Sequence, residues 1–162
     1  SSSREWTFVS MLRVVCFVIF GLVGHLGMAQ TIEPSKRNLL EKARLLSSRD
    51  PEEAFRMVSD LIQTPSISRD LDYAKAQALR GQLLLSFGLY QEALGPLYEA
   101  ETLFENLKCI ECLAATHNFL GELYYKIKTP EAALVRHQEA LRLFSGLKDW
   151  QGIARTKGYI GG

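Results

Sequence analysis

A chain of 162 residues, 47% hydrophobic and 23% charged, is long enough for one domain with a sizeable core, and its make-up excludes disorder. Lys and Arg number 19 and Asp and Glu 18; Arg4, Arg13 and Glu5 precede position 30, which leaves 17 of each sign beyond it. A neutral, interspersed surface has no electrostatic footprint for nucleic acid or an anionic membrane.

Residues 1–10, SSSREWTFVS, have no structural pattern and read as a non-native or upstream extension. Residues 11–29 have the order of a secretory signal peptide. Met11-Leu12-Arg13 supplies a start and a positive charge, Val14 to Met28 is almost wholly apolar, and Gly27-Met28-Ala29 places small residues before a cut at Gln30. The run is shorter than the roughly 20 apolar residues of a membrane-spanning helix, so an uncleaved anchor is the weaker reading. The implied location is outside the cytoplasm, and residues 30–34 are a short linker.

The segment 35–162 reads as helices throughout. Ser35 to Ser47 carries Leu39, Leu40, Ala43, Leu45 and Leu46. Asp50-Pro51-Glu52-Glu53 then has the order of a capping box, with Ala54, Met57, Val58, Leu61 and Ile62 on one face behind it and Thr64-Pro65 as the stop. A second hairpin runs from Asp70 to Leu107 with Gly88 at its turn. A third runs from about Glu111 to Leu147, with Thr129-Pro130-Glu131 read as a capping hydroxyl followed by proline at the first helical position. Asp149 to Gly162 is the first helix of a further, truncated unit. No segment has a period of two, so no sheet is expected. The fold class is therefore all-α: a solenoid of antiparallel helix hairpins in units of about 35–65, 70–107, 111–147 and 149–162, the last without its partner.

Self-comparison supports this reading. Gly81, Gly121 and Gly161 are 40 apart, as are Ala74, Ala114 and Ala154; Ala93 matches Ala133, Ala100 matches Ala140, and Leu103, Phe104 and Leu107 match Leu143, Phe144 and Leu147. Glycine inside a helix costs about 1 kcal/mol relative to alanine. Gly81 and Gly121 are therefore expected where two backbones approach closely, near Ala93 and Ala133. The orphan last helix, carrying Ile153, Ala154, Ile160 and Trp150, should keep an open apolar side and be prone to fraying or self-association.

The chemistry-bearing residues are few. Cys109-Ile110-Glu111-Cys112 is a CxxC at a helix start, open to three readings: unpaired, disulfide-bonded, or part of a metal or redox site that lacks the other ligands zinc needs. His117 and His137, 20 apart, are expected to face each other within one hairpin; a metal held by them with Cys112 or Glu111 is the route to the weaker reading of a metal-dependent enzyme. No nucleophile elbow, P-loop or dinucleotide fingerprint occurs, and Gly158-Tyr159-Ile160-Gly161-Gly162 has no preceding strand. The chain reads as no enzyme, with no cofactor and no metal.

The order Gly81, Ala93, Ala100 and again Gly121, Ala133, Ala140, with Leu120-Gly121 and Tyr124, resembles the tetratricopeptide repeat. The resemblance covers nearly all of 35–162. It departs in a 40-residue period against about 34, in Lys42 for glycine, in Gln77 and His117 for tryptophan, and in lacking proline at the unit ends. The phrase Asp149 to Arg155, before a glycine, is similar to the long-period repeats in exported sensor regions of bacterial signalling proteins. The resemblance implies a concave face lined by the first helix of each unit: Lys75, Gln82, Asn118, Glu122, Tyr125, Lys126 and Arg155, with Ala78, Leu85, Ser86 and Ala115 beside them. Lys75, Asn118 and Arg155 would together hold a carboxylate, as a peptide C-terminus requires. The implied partner is a protein or peptide. The implied role is the input part of a larger envelope signalling protein, with a stand-alone periplasmic scaffold as the alternative.

Overall fold

The computed structural model describes residues 35–64 and 68–161. The expected signal segment, the upstream extension and the linker lie outside them. Seven helices follow one another among the described residues, with no strand: α1 (Lys36–Leu46), α2 (Pro51–Gln63), α3 (Leu71–Ser86), α4 (Tyr90–Asn106), α5 (Ile110–Lys126), α6 (Pro130–Leu147) and α7 (Trp150–Ile160). None of them is long and apolar enough to cross a membrane. Each packs on the next, so α1–α2, α3–α4 and α5–α6 are antiparallel hairpins and α7 is the unpaired seventh element. The all-α hairpin arrangement expected from the periodicity is the one present.

Two features set the shape. First, α1 approaches α3, α3 approaches α5 and α5 approaches α7, whereas the backbones of α2, α4 and α6 do not meet one another. Closer spacing on one side makes the first helices the inner layer of a curved stack. Second, the turns after α3, α4, α5 and α6 are the same turn. Gly88, Lys108, Lys128 and Lys148 take positive φ of 76°, 58°, 62° and 55°. Each donates its amide three residues back, and the following residue donates five back: Leu89 to Leu84, Cys109 to Phe104, Thr129 to Tyr124 and Asp149 to Phe144, at 2.9–3.0 Å. This is the paired bonding of a left-handed helix stop. Repeated every 20 residues, it makes helix plus turn the structural unit, two of which give the 40-residue sequence period.

The helix starts differ from expectation in detail. Asp50 caps α2 by accepting from the Glu53 amide at 3.1 Å. The reciprocal limb of the box is missing, because the Glu53 carboxylate pairs with Arg56 and the Asp50 amide goes to Leu46. Thr129 does not cap α6; its hydroxyl reaches back to the Tyr124 carbonyl at 2.9 Å and closes the end of α5 instead.

The core runs between the layers. Ala74, Ala100, Phe104, Leu113, Ala114, Ala140, Leu143 and Phe144 form one buried cluster across α3 to α6. Ala93 and Ala133 are buried as well, Ala93 in a neighbouring cluster with Leu84, Leu85, Leu97, Leu120 and Leu123. At the two repeat glycines the nearest atoms belong to residues larger than alanine, and at Gly81 the Leu97 backbone nitrogen also lies 3.3 Å from the Cβ position. A Cβ on Gly81 would lie 2.6 Å from Leu97 Cγ, and one on Gly121 would lie 2.5 Å from the His137 ring. Each glycine is a socket for a large side chain of the partner helix, 16 residues on in both units.

Candidate functional site

The inner layer encloses a groove of about 460 Å³ between α1, α3 and α5. Its apolar wall is Leu40, Ala78, Leu79, Ala115 and Phe119, and its polar groups are Glu41, Arg44, Lys75, Gln82, Glu111 and Thr116. The wall is there because small residues, Ala78 and Ala115, occupy successive turns of neighbouring first helices and leave the space unfilled. The Arg44 guanidinium, hydrogen-bonded to Glu41 at 2.6 Å with Lys75 nearby, holds the Glu41 carboxyl below the usual carboxylate range. Acidic and basic groups thus flank one apolar trough.

The residues expected on the inner face separate. Lys75 and Gln82 are exposed and line the groove. Glu122 and Tyr125 line a second hollow, about 440 Å³, with Ala133, Leu134, His137, Tyr159 and Ile160 at the far end of the stack. Lys126 and Arg155 are exposed and line neither. Leu85 is buried in the core rather than presented to the groove. Asn118 corrects the expected carboxylate clamp. It is 4% exposed. Its side chain donates to Thr156 Oγ1 at 2.8 Å and meets His137 Nδ1 at 3.0 Å, tying α5 to α6 and α7. With its amide engaged inside the core, Asn118 cannot join Lys75 and Arg155 around a ligand. Leu40, Glu41 and Arg44 join the wall from the first unit, whose repeat match is too weak to give inner-face offsets; the apolar spacing of α1 around Ala43 is the sequence signal that places them.

The two histidines sit in separate networks, contrary to the expected face-to-face pair. His137 stacks on Tyr159, ring centroids 4.9 Å apart, and bonds to Asn118. His117 Nδ1 lies 3.2 Å from Arg136 Nη1 and 3.5 Å from Glu101. Arg136 also pairs with Glu101 and lies over the Tyr98 ring, joining α6 to α4 on the outer side. Burial pushes both imidazoles below their ordinary value; for His117, Glu101 opposes this and Arg136 adds to it. A guanidinium against His117 opposes a cation there, and Cys112 is bonded to Cys109 as a disulfide, so the imagined ligand set does not assemble. Among the described residues no group of three or more His, Cys, Asp or Glu is placed to hold a metal ion.

The disulfide resolves the CxxC among its three readings. Cys109 precedes α5 as its cap and Cys112 lies one turn in, with Cα atoms 5.3 Å apart. Cys112 also lines the groove, beside Glu111 and Ala115. No family model, no curated protein and no solved structure matches this chain.

Proposed function

We propose that this chain is a tetratricopeptide-type binding module that takes a protein or peptide segment into the groove between α1, α3 and α5, as the extracytoplasmic input part of a larger bacterial signalling protein. The observation that carries the reading is the groove itself: an apolar trough with Glu41, Arg44, Lys75, Gln82 and Glu111 at its rim, on the inner side of a curved helical stack. The disulfide favours an oxidising compartment, in keeping with export.

Selection of a displayed random-peptide library on the full chain tests the reading. Sequences so enriched should lose binding to Ala78→Arg, which fills the trough from α3; because Ala78 borders the core, an unchanged melting temperature is the control for folding. Enriched peptides that bind Ala78→Arg as well as the parent chain would place binding elsewhere.

A further inference from the structure

The charged groups of the outer hollow are matched within the fold, and those of the inner groove are not. In the outer hollow, about 400 Å³, Arg136 pairs with Glu101 and Arg142 with Glu139. In the groove between α1, α3 and α5, Glu41 pairs with Arg44 on the same helix. The other two charges of the groove, Lys75 and Glu111, make no ion pair among the described residues, and both are exposed. Lys75 lies near enough to Glu41 to favour its charged form without bonding to it. On the α1–α3 side, Arg44 cancels Glu41 and Lys75 leaves an excess of one positive charge; on the α5 side Glu111 leaves one negative charge.

The repeat sets the spacing of these two charges. α3 and α5 are successive first helices, and the 40-residue offset makes Ala115 the counterpart of Lys75. Glu111, in the first turn of α5, therefore stands one helical turn, roughly 6 Å, before the level of Lys75. Packed helices lie about 8–10 Å apart, so the two backbones that carry the charges are roughly 10–12 Å apart. Beside them, Ala78 and Ala115 leave the trough open. An extended chain covers such a distance in about three residues.

We infer that the groove selects peptide segments bearing a side-chain carboxylate and a basic side chain about three residues apart with apolar residues between them, the carboxylate meeting Lys75 and the base meeting Glu111. The inference rests on the groove reading above and narrows it to a class of ligand. Uniformly acidic and uniformly basic segments are the wrong complement, because each sets a like charge against one of the two groups. Repulsion of the wrong segment discriminates as much as attraction of the right one.

The probes are end-capped synthetic peptide pools with two fixed charged positions, three residues apart, and mixed Ala, Val, Leu and Phe between them: acid–base, base–acid, acid–acid and base–base. Each is titrated against the full chain and followed by fluorescence anisotropy. A mixed-charge pool should bind the parent chain roughly three- to tenfold tighter than either uniform pool, the scale of one exposed ion pair exchanged for a repulsion. Lys75→Glu should make the base–base pool the tightest, and Glu111→Lys the acid–acid pool. Should a reversal lower the melting temperature, the neutral variants take its place: Lys75→Gln should bind the base–base pool as well as the mixed one, and Glu111→Gln the acid–acid pool. Pools that bind, lose binding to Ala78→Leu and rank without regard to charge would overturn the charge assignment and leave the groove reading standing. No saturable binding by any pool, or binding that survives Ala78→Leu, a neutral filler of the trough, would overturn both.

Discussion

Gly81 and Gly121 are glycines because a side chain from the neighbouring helix occupies the place of their Cβ. The structure thus makes opposite predictions for one chemical change. Gly121→Ala pushes against the His137 ring, which is held by Asn118 and Tyr159, and should destabilise by about 1–3 kcal/mol in a chemical melt. Gly146→Ala, on α6 with nothing within 4 Å of its Cβ, should stabilise by up to about 1 kcal/mol from helix propensity alone. Equal effects at the two sites would remove the socket argument. At the turns, Lys108, Lys128 and Lys148 hold a left-handed conformation that disfavours a side chain by about 1–2 kcal/mol. Lys128→Gly should gain up to about 1 kcal/mol after its own unfolded-state entropy is counted, whereas Gly88→Ala should lose about as much. The histidines give a pH dependence of definite sign. Both are held below their ordinary value near 6.5 by burial, so the unfolded chain binds the extra protons. Their contribution is fully present above about 6.5 and is lost as pH falls through that value toward the lowered folded one. His117→Gln, which installs the residue found at the matching position 77, should flatten that limb of a stability-against-pH curve; an unchanged slope would show that His117 does not titrate with unfolding.

At the scale of elements, the helices were legible because apolar spacing, the Asp50 cap and the prolines at 51 and 130 agree with the structure, although Pro96 lies inside α4. Asp50, Asp70 and Asp149 each cap the helix they precede, and all seven helices lie where the periodicity puts them. What was not legible is the turn. Three of its four left-handed residues are lysines, whose presence signals nothing about φ, and only Gly88 announced itself. Thr129 illustrates the same limit: a hydroxyl before Pro130 fits a cap in sequence, but its bond to Tyr124 depends on how the preceding helix ends. The disulfide closes so short a loop that it limits the unfolded chain little. Removing it by Cys109→Ser with Cys112→Ser should lower stability by about 2 kcal/mol at most. A much larger loss, read from denaturant midpoints, would mean that the bond holds α4 and α5 together rather than only the start of α5.

At the scale of the molecule, the 40-residue offset carried the stacking and curvature, since equal spacing of small residues forces equal packing of successive hairpins. It carried the site only in part. Offsets place a residue on a helix but not the neighbour above it: Lys75 and Gln82 open onto the groove, while Asn118 on the next first helix is covered by α7. Buried polar residues such as His117 and Asn118 occupy slots that the pattern reserves for other side chains, so their partners became visible only with the helices assembled. The groove reading is tested most directly by where a bound peptide touches the chain. A library-selected peptide bearing a photo-crosslinker at successive positions should mark residues of α1, α3 and α5 around Glu41, Lys75, Gln82 and Glu111 when the products are mapped by mass spectrometry. Crosslinks confined to the outer faces of α2, α4 and α6 would contradict the account.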